Sequence, residues 1–340
     1  MGTDIAQFDY RLPPEQIAQH SVEPRDHSRL MILDRETGET EDRRFYEILN
    51  ELRPGDLLVM NKSKVFKARL RGKVGDRGVE VFLLRGEGNI WEALVRPGRK
   101  VTVGDQVDLF GLTADVAEKL PNGTVRLNMS VGFDEVFVFT EQFGEIPIPP
   151  YVEEKPETFE KYQTVYAEDV GSVAAPTAGF HFTKDLIGKL EAKGVEFAFV
   201  TLHVGLGTFR PVKVQTLEEH EMHSEFVRID PEVAKRINTA KQEGRRVIAV
   251  GTTTVRSLEG AAKNGRLPEN GFSGDVNLFI TPGYTFQIVE ALITNFHLPK
   301  STLLVLVSAF AGREHILNAY HEAIEKKYRF FSFGDAMFIE

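Results

Sequence analysis

The sequence predicts an open, three-layer α/β sheet domain with a small β-barrel inserted into it. Three observations lead there. Between about Asp56 and Met129 the chain reads as short alternating strands broken at Gly turns, the texture of a small barrel or strongly curved sheet. A proline-rich stretch, GEIPIPPYVEEKP (Gly144 to Pro156), then reads as an extended linker. Beyond it strands alternate with helices, as in a sheet covered on both faces.

In chain order, FDYRLPPEQIAQH and RLMILD are assigned to the α/β domain. The barrel follows as DLLVMN, KARLRGK, GVEVFLLRG, NIWEALVRPG, QVDLFG and TVRLNMS. After the linker, Thr183 is placed to cap a helix, KDLIGKLEAK, which stops at Gly194. A buried strand VEFAFVTLHV comes next, then helix PEVAKRINTAKQEG, strand RRVIAVG and helix TTVRSLEGAAKNG. Strand EALITNF leads through HLPKS into TLLVLVSAFAG. That last run is too short for the roughly 20 residues of a membrane span and reads as a buried helix. The expected domains are 1–58 with 152–340, discontinuous, and 59–151 inserted.

Composition narrows the function. The chain has 340 residues, 42% hydrophobic and 27% charged, an ordinary globular balance. The absence of cysteine removes disulfides, thiolate nucleophiles, iron–sulfur clusters and Cys-based zinc sites. It fits a reducing compartment, and MGTDIAQFDYR does not read as a signal peptide, so a cytoplasmic location is expected. With a net charge of −9, any RNA contact must use a local basic patch.

Several motifs are absent or incomplete. GLGTFR lacks the third glycine of a dinucleotide loop, and Pro211 blocks the helix that should follow. Neither GxxxxGK[ST] nor GxSxG occurs. HEMHSE (His220 to Glu225) is one residue short of HExxH; on a helix His220 and His223 would share a face, but a polar helix start or substrate contact is the simpler reading.

More informative is GTTTVRS (Gly251 to Ser257), which offers a helix N-terminus, Thr252, Thr253 and Thr254, and Arg256 one turn inside. Such a terminus suits a carboxylate or phosphate, although simple capping needs only one threonine. In open α/β sheets ligands sit at the carboxyl ends of strands. TLHVGLGTFRPV brings His203, Gly205, Gly207 and Arg210 to such an end. ITNFHLPKS brings Asn295, His297 and Lys300, and AAPTAGFHFT places His181 just before a helix. One loop histidine is usually structural; three on the loops of one sheet favour an active site. Finally, Lys62, Lys64, Lys67, Arg69, Arg71 and Lys73 occur with no acid between them, and residues 67, 69, 71 and 73 alternate, so one strand face is basic. A lysine-guarded edge strand is the plainer reading; a phosphate-backbone partner is the functional one.

These runs together resemble the S-adenosylmethionine:tRNA ribosyltransferase-isomerase family of queuosine biosynthesis. The matching segments include FDYRLPPEQIAQ, RDHSRLM, GEIPIPPY, YQTVYA, AAPTAGFHFT, LHVGLGTFRPV, MHSE, GTTTVRSLE, LITNFHLPKSTLLVLVSAFAG and FFSFGDAM. They run in family order over almost the whole chain. Departures are Phe180, where the family usually has Leu, and NKSKVFKARL, which lacks a proline common before the Ala. The resemblance implies transfer of the ribosyl part of S-adenosylmethionine to 7-aminomethyl-7-deazaguanine at the tRNA wobble position. Rearrangement then gives epoxyqueuosine, with adenine and methionine released. No cofactor is implied, because S-adenosylmethionine is consumed as a substrate. On that reading a base takes a proton beside the sulfonium and an acid protonates departing adenine. His181, His203 and His297 are the base candidates, with Glu225 and Asp335 the acid candidates. Thr252–Thr254 and Arg256 would hold the methionine carboxylate or an RNA phosphate, and the basic barrel strand would grip tRNA. The chain is expected to be a monomer. A non-catalytic RNA-binding adaptor and a tRNA methyltransferase are the alternative readings.

Overall fold

The structure, a computed structural model, describes residues 2–148, 151–152, 158–205 and 214–340. The chain forms two compact units, Met1–Ser63 with Pro150–Asp169 and Pro176–Glu340, and Lys64–Pro149 with Val170–Ala175.

The first unit is built on a mixed sheet of β1 (Arg29–Leu33), β2 (Thr40–Arg44), β3 (Leu57–Asn61), β12 (Glu196–Leu202), β13 (Glu225–Ile229), β14 (Val247–Val250), β15 (Phe272–Val276), β16 (Ala291–Asn295) and β17 (Ala336–Ile339). The strand order is β15-β13-β12-β3-β14-β16-β17-β1-β2. The central strands β12, β3, β14 and β16 are parallel. Their near-continuous apolar runs have this cause, because a strand covered on both faces must be apolar on both. Leu58, Met60, Ile248, Val250 and Ile293 pack on one face with Leu186 and Leu190 of α3 (Lys184–Lys193) and Ile48 of α1 (Ile48–Glu51). The intervening Leu57, Val59, Val247, Ala249 and Leu292 point the other way and are equally buried.

Thr183 Oγ1 accepts the Leu186 N–H at 3.1 Å, and left-handed Gly194 (φ 93°) ends α3, as its sequence predicts. Helices α4 (Pro231–Gln242) and α5 (Thr252–Ala261) pack on β12 and β14; α6 (Thr302–Ala311) and α7 (Arg313–Glu325) pack on each other.

In the second unit, β5 (Arg69–Val74), β6 (Arg77–Glu87), β7 (Ile90–Arg96), β8 (Gln106–Asp108), β9 (Thr113–Lys119) and β10 (Val125–Met129) close an antiparallel barrel. Leu70, Val81, Leu83, Ala93, Val107, Val116 and Leu127 fill it around Trp91. Gly86 must lack a side chain, since a Cβ there would lie 2.4 Å from the Trp91 ring. Helix α2 (Phe133–Phe143) stacks Phe133 on the indole at 5.3 Å; the sequence pattern assigned no element to this segment. Strands β4 (Ser63–Val65) and β11 (Asp169–Ser172) pair as a short ribbon where the chain passes between the units.

Two expectations need correction. The boundary placed at 58 would cut β3, which runs to Asn61 inside the large sheet; the units divide after Ser63, and Val170–Ala175 return to the barrel unit. HEMHSE is not helical. Residues 220–224 are irregular and Glu225 opens β13, so His220 and His223 share no helix face.

Candidate active site

Parallel β12, β3, β14 and β16 end at the same sheet edge, which collects His203, Asn61, Gly251 and Asn295. Antiparallel neighbours bring their first residues to this edge. Glu225 opens β13 beside β12, and Ala336 pairs with Asn295, placing Asp335 next to it. Strand β1 runs parallel to β17, so Ser28 lies at the same end. The turn Thr177–His181 completes the edge. A Cβ on left-handed Gly251 (φ 89°) would lie 3.5 Å from Ala178.

His181 is buried, stacked on Phe45 at 4.9 Å, with Nδ1 2.7 Å from Ser28 Oγ and Nε2 3.1 Å from Asn295 Nδ2. The Asn295 amide donates to Nε2, so Nδ1 carries the proton and donates to Ser28. Burial lowers its pKa to about 4, against the opposing pull of Asp335. Both ring nitrogens are engaged, and the adjoining cavity, lined by Ser28, Phe180 and Ser332 among others, is about 10 Å³, room for one water at most. Phe180 fits locally, lying under the Arg25 guanidinium at 5.0 Å and stacked on Phe333 at 5.8 Å.

His203 is half-buried and stacks on Phe226 at 5.9 Å. Its Nδ1 has no hydrogen-bond partner among the described residues. Burial lowers its pKa to about 4, countered by Asp169. It is therefore a neutral imidazole.

His297 lies elsewhere. Its Nε2 is 3.0 Å from Thr294 Oγ1, its N–H donates to the Tyr320 hydroxyl at 3.0 Å, and the Tyr10 hydroxyl donates to its carbonyl. Thr294 and Asn295 are consecutive in β16 and leave on opposite faces, so His297 is across the sheet from the Asn295–His181 pair. Burial holds its pKa at about 3.

Among the threonines, Thr254 Oγ1 donates back to Val250 O at 2.7 Å, Thr252 is buried, and Thr253 Oγ1 has no partner among the described residues. Gly251, the N-cap, has no capping side chain; Thr254 N–H donates to Gly251 O at 3.1 Å, which leaves the Thr252 and Thr253 N–H groups as those a helix start does not satisfy internally.

Arg256 is not directed at open space. It is buried, ion-paired with Glu225, and donates from Nε to Leu278 O at 3.2 Å. The other Glu225 oxygen accepts Gly205 N–H at 3.1 Å. The pair thus ties α5 to the start of the glycine loop; Gly207 and Arg210 of that loop lie outside the described residues. Asp335 accepts Arg29 N–H at 3.0 Å, Arg329 N–H at 2.8 Å and Arg329 Nη2 at 3.2 Å. Lys300 pairs with Asp9 at 2.7 Å.

Two residues escaped the sequence pattern. Asn61 Oδ1 accepts Leu202 N–H at 3.1 Å while its amide donates to Leu202 O at 3.0 Å, locking the ends of β3 and β12 together. Glu259, further along α5 from Arg256, accepts the N–H groups of Gln287, Ile288 and Val289 at 2.8–2.9 Å. Their partners are distant in sequence, and no local motif marks them. Among the described residues no three His, Asp or Glu side chains group as metal ligands.

In the barrel unit, β5 alternates as predicted, with Arg71 and Lys73 exposed and Leu70 and Val74 buried. The cations have partners, however: Lys67 with Glu141 at 3.1 Å, Arg69 with Glu80 at 3.8 Å, and Arg71 with Glu80 and Glu145 at 3.4 and 3.2 Å. Lys73 Nζ lies 5.7 Å from the Phe110 ring centroid, and Lys64 is exposed. Lys62 belongs to the first unit, beside Glu168 at 2.9 Å.

A family model described as queuosine biosynthesis protein matches residues 5–339. The chain is 54% identical to a protein of Heliobacterium modesticaldum, covering 99% of each, and 52% identical to one of Desulfitobacterium hafniense, covering 98% of this chain and 99% of that one. Both relatives are named S-adenosylmethionine:tRNA ribosyltransferase-isomerase. The crystal structure of S-adenosylmethionine tRNA ribosyltransferase from Thermotoga maritima is similar at 42% identity and a TM-score of 0.58, covering 98% of this chain and 100% of that one.

Proposed function

The chain belongs to the queuosine biosynthesis protein family, and from that premise we propose that it is an S-adenosylmethionine:tRNA ribosyltransferase-isomerase. It moves the ribosyl moiety of S-adenosylmethionine onto 7-aminomethyl-7-deazaguanine at the tRNA wobble position. Isomerisation gives epoxyqueuosine, with release of adenine and methionine. Near full-length identity above one half to relatives bearing that name carries the reading; it favours neither an adaptor nor a methyltransferase.

The base we assign is His203, because its buried Nδ1 has no hydrogen-bond partner among the described residues, whereas both nitrogens of His181 are engaged and His297 lies across the sheet. The first turn of α5, with Thr253, receives the methionine carboxylate. His203 and Gly251 follow strands two places apart, about 10 Å by strand spacing, a span that a nucleoside with an amino-acid tail bridges. Glu225, Arg256 and Asp335 hold the surrounding backbone, their polar atoms being occupied by protein partners.

Ribosyl transfer with loss of adenine and a thioether leaving group is redox-neutral, so we assign no cofactor, and activity should persist after exhaustive chelation. Loss of activity with EDTA, restored by zinc, would overturn that assignment. We further propose a cytoplasmic monomer. No helix among the described residues is long and apolar enough to cross a membrane. Sedimentation with and without tRNA checks the monomer. The reaction itself is tested by incubating the protein with S-adenosylmethionine and precursor-bearing tRNA. Free adenine should appear in step with modified tRNA and need both substrates; tRNA binding without adenine would instead support an adaptor.

A further inference from the structure

Phe110 sits in the turn between β8 and β9, 56% exposed, with a left-handed backbone (φ 62°). A bulky residue rarely adopts that conformation, and an exposed ring gains little from burial. The turn nevertheless fixes it. Asp108 Oδ1 accepts the Phe110 N–H at 2.8 Å, and Leu109 N–H donates to Leu112 O at 2.8 Å.

The ring forms one wall of an open groove of about 800 Å³ on the barrel, lined also by Arg71, Lys73, Glu80, Arg96 and Pro97. Register explains the arrangement. Arg71 pairs with Glu80 and Glu80 with Arg96, a row across three strands, while Lys73 stands opposite Gly78, where a side chain would meet nothing within 4 Å. The lining holds three cations and Glu80; just outside it Glu145 pairs with Arg71 and Asp108 stands opposite Lys73 on β8. Neither Lys73 nor Arg96 has a carboxylate within ion-pair distance among the described residues.

An aromatic platform flanked by cations that lack a carboxylate partner is the chemistry that holds single-stranded nucleic acid, with bases stacked on the ring and phosphates against the charges. Resting on the reading that tRNA is the substrate, we infer that this groove binds an unpaired nucleotide of that tRNA. The base stacks on Phe110 and the flanking phosphates face Lys73 and Arg96.

The test measures binding of precursor-bearing tRNA by the full chain at several salt concentrations. Phe110→Ala should weaken binding roughly tenfold with an unchanged salt slope, melting temperature and affinity for S-adenosylmethionine. Phe110→Trp should retain affinity, and its emission should be quenched by tRNA above the background of buried Trp91. Lys73→Ala with Arg96→Ala should flatten the slope of log affinity against log salt by about 1.4, or ~0.7 for each single-strand phosphate that is no longer neutralised. Wild-type affinity and slope in Phe110→Ala and the double variant would overturn the assignment. So would an equal Phe110→Ala loss in binding to a fully paired RNA duplex, which offers no unpaired base to stack, or competition by an acidic peptide as strong as that by tRNA. Binding needs no turnover, so the two readings fail separately: adenine release by wild type with undiminished binding by Phe110→Ala sinks only the groove, and the reverse pattern sinks only the reaction.

Discussion

Arg256 and Glu225 each expose 5% or less of their side chains, so neither charge can be left alone cheaply. Removing one partner of a buried pair typically costs about 3–5 kcal/mol. Arg256→Ala should therefore lower the melting temperature sharply, and adding Glu225→Gln should recover much of the loss. A fully stable single variant with a raised S-adenosylmethionine requirement would instead return Arg256 to the role its motif suggests, direct contact with the substrate carboxylate. The arginine was legible at the helix start; its partner was not, because Glu225 reaches it through sheet pairing 31 residues away.

The histidines divide by environment. His203→Ala should cut single-turnover adenine release by about 10²–10⁴-fold while S-adenosylmethionine still binds. Since burial holds its pKa near 4, the acid limb of kcat/KM should lie near pH 4, not at an ordinary histidine value. Stability moves in the same direction. The unfolded chain binds protons at these positions below about pH 6.5 while the folded chain resists them until about pH 4 at His181 and His203 and about pH 3 at His297. Their contribution is thus present above pH 6.5 and lost as pH falls through that window. His297→Gln should flatten the decline in melting temperature between pH 6.5 and 3; an unaltered decline would mean that His297 is not held neutral.

At the scale of elements, β5 shows what a pattern reports and what it omits. Alternation at 67, 69, 71 and 73 correctly gives one outward face for Arg69, Arg71 and Lys73. It says nothing of Glu80, which register places beside Arg71, or of Glu141 and Glu145, brought by α2 and the segment after it. Exposed pairs of this kind contribute little to stability, and they occupy Lys67, Arg69 and Arg71 with carboxylates. Replacing Lys67, Arg69 and Arg71 together by Ala should flatten the salt dependence of tRNA binding less than the Lys73 and Arg96 pair does. A larger effect of the triple variant would make the whole basic strand the RNA grip. Helix α3 was legible to its ends because cap and stop are local in sequence. Helix α2 was missed because its aromatic face serves the Trp91 side of the barrel core, a demand set by distant strands.

For the whole molecule, the two textures of the sequence became the two compact units. The join was misplaced, since β3 continues the large sheet through Asn61 before the chain leaves it, and Val170–Ala175 fall in the barrel unit. The parallel centre of that sheet fixes where chemistry can gather, because β12, β3, β14 and β16 must release their loops at one edge. The central claim is that S-adenosylmethionine gives its ribosyl group, not its methyl group, to tRNA. Separate isotopic labels on the ribose and the methyl carbon test it directly in one single-turnover reaction with precursor-bearing tRNA. The ribose label should pass into tRNA with one equivalent of adenine released, while the methyl label leaves in methionine. Methyl label in the tRNA, with the ribose label remaining on the nucleoside, would contradict it.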